Sequence, residues 1–84
     1  MSGRRAVHVG AMIAYRRREQ GQSQRRLAEA LCYSSGRTTV TRHEISRWER
    51  GGRVPGGPWL RFLAQALGVR LTDLERAIAD DRRA

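Results

Sequence analysis

Punctuation constrains this chain more than any other feature. Gly21, Ser23, Gly51, Gly52, Pro55, Pro58 and Gly68 cut it into short segments whose apolar residues recur at helical spacing, and no segment alternates as a strand would. The expectation is an all-α fold, a compact five-helix bundle. The first segment runs from Val7 to Gln20, with Val9, Met12 and Ile13 on one face, an arginine-rich last turn that suits the helix dipole, and Gly21 as its stop. The second opens at Ser23, a good N-cap, and carries Leu27, Ala28 and Leu31. Thr41 and Glu44 form a capping box with Val40 and Ile45 as its hydrophobic staple, which predicts a third helix over 41–50. Pro58 opens a fourth helix with Leu60, Leu63, Ala64 and Leu67 and a stop at Gly68. Thr72 and Glu75 make a second capping box, starting a fifth helix through Leu74 and Ile78 that frays at 80–84.

Eighty-four residues leave room for one core. The reading is a basic N-terminal arm at 1–6, a domain at 7–79 and a short tail at 80–84. The longest apolar run, Ala11 to Tyr15, is five residues, against about 20 for a membrane span. The arginines near the N-terminus precede no small-residue cleavage site, so a cytoplasmic location is expected.

Charge narrows the partner. Seventeen basic residues, all arginine, face eight acidic ones, for a net +9. The excess is lopsided: residues 1–53 hold 12 arginines and 4 acids, and residues 54–84 hold 5 and 4. A basic surface of this kind points to DNA or RNA, with an anionic membrane surface as the lesser alternative. Other chemistry lacks its residues. Cys32, His8 and His43 are scattered singles, short of the four ligands of a structural zinc site, and no phosphate loop, paired-carboxylate site or activated nucleophile marks an enzyme. No metal or cofactor is expected.

The third helix carries the functional expectation. Counting about 100° per residue from Arg42, Ile45 and Trp48 fall at about 300° and 240°, while Ser46, Arg50, His43 and Arg47 fall at about 40°, 80°, 100° and 140°. An apolar anchor opposes a strip with three cations and no acid. A helix about 10 to 12 Å across fits the B-DNA major groove, where arginine pairs bidentately with guanine. The plain alternative is a solvated arginine-rich face; two capped helices in series, with the polar strip on the second, favour the groove reading.

The stretch from Arg17 to Leu74, about 58 residues, resembles the phage-repressor and Cro-type helix-turn-helix family, also called the xenobiotic-response-element family, whose members are mostly bacterial transcriptional regulators. The resemblance rests on Val9 and Ile13, Arg17 four before Gly21, Ser23-Gln24 with Leu27-Ala28, Ile45-Ser46, Trp48-Glu49-Arg50-Gly51, and then Pro55, Leu60, Ala64, Leu67 and Val69. It implies a lambda-repressor-like DNA-binding domain that regulates transcription, with 41–50 as the recognition helix. Its base-reading positions fall on Arg42, His43 and Arg47, and a phosphate-touching one on Gln24. It also implies an ion pair between Arg17 and Glu49.

Two departures stand out. Helix-turn-helix units join their helices by three or four residues, whereas Cys32 to Val40 supplies nine here. Arg37, Thr38 and Thr39 in that stretch either reach the sugar-phosphate backbone or belong to a tolerated insertion. Arg16 stands where the family places an aliphatic residue, a gap for Tyr15 or Met12 to fill. Arg25, beside Gln24 at the start of helix two, is a further phosphate candidate, and Thr41, Ser46 and Arg50 flank the reading positions. Trp59 and Phe62 are either core or a homodimer contact. The competing function is a protein-interaction module, such as an antitoxin with a protein partner that binds DNA only secondarily; only about five residues follow helix five to hold the partner. RNA binding is the weaker third reading, since no aromatic stacking set lies on a sheet.

Overall fold

A computed structural model describes residues 8–83. They form α1 (Val9–Glu19), α2 (Gln24–Ser35), α3 (Arg42–Glu49), α4 (Gly57–Leu67) and α5 (Leu71–Arg83), with no strand among them. The all-α, five-helix expectation holds. The arm at 1–6 and the start at Val7 fall outside the described residues.

Local chemistry sets most boundaries. His8 is the N-cap of α1, its Nδ1 accepting from the Ala11 N–H at 3.2 Å. The helix closes in a Schellman motif: the Gln22 N–H bonds the Arg17 carbonyl, the Gly21 N–H bonds that of Arg18, and Gly21 takes the left-handed φ of +70° that glycine tolerates best. Ser23 caps α2 through its Oγ, which accepts from the Arg26 N–H at 3.0 Å. The same closure ends α3, where Gly52 bonds the Arg47 carbonyl and Gly51 that of Trp48.

Three expectations about segment ends need correction. First, α2 does not stop at Leu31. Cys32, Tyr33, Ser34 and Ser35 are helical, and Gly36, at φ +73°, ends the helix. The connection is therefore the six residues 36–41 rather than nine, still longer than the usual turn. Serine and tyrosine are indifferent helix formers, but nothing between Leu31 and Gly36 interrupts the ladder, and the Cys32 thiol donates to the Val40 carbonyl at 3.2 Å, tying the helix end to the returning chain.

Second, neither capping box forms. Thr41 is the N-cap of α3 but makes no side-chain cap bond. The staple carries that entry alone, with Val40 and Ile45 both buried in the core. α5 starts at Leu71, so Thr72 lies inside its first turn; the Arg70 carbonyl accepts from the Asp73 and Leu74 N–H groups instead.

Third, α5 continues through the stretch expected to fray and ends at Arg83. A tertiary contact holds it, because Asp81 Oδ2 accepts the Val9 N–H at 3.2 Å and so satisfies a free donor at the start of α1.

One core joins the helices: Ile13 from α1, Leu27 and Leu31 from α2, Ile45 and Trp48 from α3, Leu63 and Leu67 from α4, and Leu74 from α5 are all buried. α3 packs on α2 and α1, whereas α4 packs on α2, α5 and α1. The α1–α3 crossing is close. A Cβ built on Gly10 would lie 2.2 Å from the Trp48 carbonyl oxygen and 2.8 Å from that of Glu49, so this position accepts no side chain.

Arg16 also finds a role its sequence neighbourhood hid. Its Nε donates to the Leu67 carbonyl at 3.2 Å and its Nη2 to that of Gly68 at 3.5 Å, placing a cation on the open C-terminal end of α4. Met12 packs against the core beside it, but Tyr15 is 63% exposed and fills nothing.

Candidate nucleic-acid interface

Ile45 and Trp48 sink one side of α3 into the core and thereby decide what the other side shows. Arg42, His43, Arg47 and Arg50 are exposed and Ser46 is half-buried, as the angular pattern requires. None of these four exposed side chains has a hydrogen-bond or ion-pair partner among the described residues. Three unneutralised guanidinium groups and an imidazole on one helical face can donate to base edges or phosphate oxygens. Arg53, which the sequence reading passed over, adds another exposed cation just beyond α3.

The helix is fixed in roll by a buried ion pair as well as by its apolar anchor. Arg17 Nε donates to Glu49 Oε2 at 2.6 Å and Nη2 to Oε1 at 2.9 Å, the bidentate geometry that favours arginine over lysine. The two side chains are only 9% and 6% exposed. Arg17 Nη1 also donates to the Gln22 carbonyl at 2.9 Å, so the guanidinium is held on both sides. Hydrogen bonding from Glu49 pushes the Arg17 pKa above its ordinary value, outweighing burial, which acts in the opposite direction. The pair ties the end of α1 to the end of α3.

Gln24 belongs to the same network. Its Nε2 donates to Glu49 Oε1 at 2.9 Å, an inward contact that the sequence reading missed. What Gln24 offers an anion is its second amide hydrogen and its backbone N–H, one of the open donors of the first turn of α2. Arg25 sits beside it. Its 3.5 Å contact with Glu29 joins two exposed side chains, an interaction worth at most about 1 kcal/mol that a phosphate readily replaces.

Of the expected flanking residues, Arg25 and Thr41 share a hollow with the base-reading candidates Arg42 and His43, whereas Arg37 lines a different one. Arg25, Thr41, Arg42 and His43 border a single open cleft of about 460 Å³ between α2 and the start of α3, floored by Ala28, Cys32 and Val40. Arg37 borders a separate notch of about 110 Å³ with Ser35, Pro58, Trp59 and Phe62. Thr38 and Thr39 are exposed in the connection between α2 and α3. Among the described residues no three His, Cys, Asp or Glu side chains gather as a metal site would require, and no helix is long and apolar enough to cross a membrane.

No curated protein and no solved structure gives a significant match to this chain. A helix-turn-helix family model matches residues 13–74, from Ile13 within α1 to the first turn of α5, and so spans both motif helices, the ion pair and most of the core that supports them. With that match across most of its length, the chain belongs to the Cro/C1-type helix-turn-helix family, the xenobiotic-response-element family of DNA-binding transcriptional regulators.

Proposed function

We propose that this chain is a sequence-specific regulator of transcription that inserts α3 into the major groove of double-stranded DNA, in the cytoplasm. One observation carries the reading: the face of α3 opposite Ile45 and Trp48 exposes Arg42, His43 and Arg47, which have no hydrogen-bond or ion-pair partner among the described residues. Arg42 and Arg47 present the fork that matches guanine O6 and N7, and His43 supplies a shorter donor between them. Arg25, the open N–H groups of α2, Thr41, Ser46 and Arg50 set register on the phosphates, with Arg37, Thr38 and Thr39 reaching the backbone farther out. Operators with two half-sites pair with two-fold protein symmetry, so two copies act together.

The test is an Arg47→Ala variant assayed on cognate and scrambled duplexes. Loss of one bidentate base contact is expected to cost about 1 to 3 kcal/mol on the cognate site and little on scrambled DNA. A parental ratio between the two duplexes would remove Arg47 from base reading. The affinity of the parent is also expected to fall with rising salt, by about 0.9 log unit per log unit of salt for each phosphate neutralised. A flat salt response would remove DNA as the partner.

A further inference from the structure

The cleft between α2 and the start of α3 carries chemistry that base reading does not use. It measures about 460 Å³, within the roughly 300 to 1,000 Å³ that small-molecule sites occupy. Its floor is Ala28 and Val40, both buried, with half-buried Cys32. The Cys32 thiol spends its hydrogen on the Val40 carbonyl, so the floor presents carbon and sulfur rather than a free thiol donor. The rim is cationic. Arg25 stands on the α2 side, and Arg42 and His43 stand on the α3 side. Thr41 joins them with a hydroxyl that makes no cap bond. Glu29 is the one acid among the described residues of the rim, and it lies 3.5 Å from Arg25. Arg42 and His43 have no hydrogen-bond or ion-pair partner among the described residues.

A phosphate alone would satisfy the rim and gain nothing from an apolar floor. A neutral apolar molecule would cover the floor and leave the rim unpaired. One class of ligand meets both: a small organic anion, a carboxylate or sulfonate on a body of one or two rings. We infer that the cleft binds such an anion, its acid group among Arg25, Arg42 and His43 and its rings on Ala28, Cys32 and Val40, and that this binding withdraws Arg42 and His43 from DNA. Charge complementarity sets the head group, because guanidinium pairs best with a planar oxyanion. The floor sets the body, because only apolar surface gains by leaving water there. Binding depends on the cleft alone, whereas competition with DNA rests on the reading above, in which Arg42 and His43 meet bases.

Titration of the full chain with naphthoate, followed through its amide resonances by proton–nitrogen correlation spectra, tests the cleft without DNA. Shifts are expected to concentrate on residues 25–32 and 40–43. The expected dissociation constant lies between about 50 µM and 2 mM, in keeping with the modest affinity of so small a ligand. Naphthamide has the same shape and no charge, and inorganic phosphate has the charge and no body; each is expected to bind at least about tenfold more weakly. Arg42→Gln is expected to weaken naphthoate at least about fivefold, and Glu29→Gln, which releases Arg25, to tighten it at least about twofold. Arg61→Gln removes the same charge from α4, outside the cleft, and is expected to stay within about twofold of the parent. All three side chains are exposed, and circular dichroism confirms that the variants fold. Shifts spread over every arginine-bearing face, naphthamide or phosphate binding as tightly as naphthoate, or Arg61→Gln costing as much as Arg42→Gln would each overturn the proposal.

Duplex affinity of the parent, on a sequence recovered by selection, is then measured in saturating naphthoate and in the same concentration of sodium acetate, which matches the ionic strength. Naphthoate is expected to weaken duplex binding at least about fivefold relative to acetate. Equal affinities would overturn the competition. A chain that binds no duplex in either salt would overturn the DNA reading and the competition with it, and the naphthoate titration would still judge the cleft.

Discussion

Replacing Glu49 by alanine is expected to cost about 3 to 5 kcal/mol of stability, the range for stripping one partner from a buried ion pair. The variant leaves the Arg17 guanidinium, 9% exposed, with only the Gln22 carbonyl for company, and leaves the Gln24 amide without its acceptor. For a domain of this size each kcal/mol moves the thermal midpoint by about 4 to 8 °C, so the melting curve is expected to fall by more than about 12 °C. The cost belongs to the orphaned charge rather than to the attraction of the pair. An Arg17→Met/Glu49→Leu double variant, which removes both charges and keeps apolar volume, is therefore expected to recover most of the loss. A single-variant loss under about 1 kcal/mol would mean that the pair behaves as a solvated surface contact.

Gly10→Ala is expected to destabilise the fold by at least about 2 kcal/mol, although alanine is the better helix former by about 0.5 to 1 kcal/mol. The sign reverses because the added methyl would lie 2.2 Å from the Trp48 carbonyl oxygen and 2.8 Å from that of Glu49. Both atoms are main chain and cannot step aside as a flexible side chain would, so α1 and α3 must move apart. An unchanged melting temperature for Gly10→Ala would contradict the close crossing. A lowered DNA affinity is also expected of Gly10→Ala, because the displaced carbonyls sit at the end of the recognition helix.

What the sequence made legible follows from the range of the forces involved. Ser23, Gly21, Gly51, Pro58 and Gly68 act on their own turns of chain, and the helix boundaries they mark are observed. The opposition of Ile45 and Trp48 to Arg42, His43 and Arg47 needs only helical periodicity and is likewise observed. Where two local signals competed, the stronger was not always visible. The hydroxyl of Thr41 was expected to cap α3, but burial of Val40 and Ile45 suffices, and the hydroxyl stays unengaged.

Features set by distant residues were out of reach. Gly10 is demanded by a helix that arrives more than thirty residues later. Arg16 answers the carbonyls of Leu67 and Gly68, and Asp81 answers the Val9 N–H across almost the whole chain. Gln24 turns inward because Glu49 is there to receive it. The Arg17–Glu49 pair came from family likeness, not from residue pattern; its 2.6 and 2.9 Å contacts now give it a physical basis.

Selection of bound sequences from a random duplex pool, run in parallel with the parent and with Arg47→Ala, tests base reading by α3 most directly. The expected result is an enriched motif containing guanine for the parent, with the preference lost at one position per half-site in the variant and kept elsewhere. A pool that stays random for the parent, or an identical motif from both proteins, would contradict it.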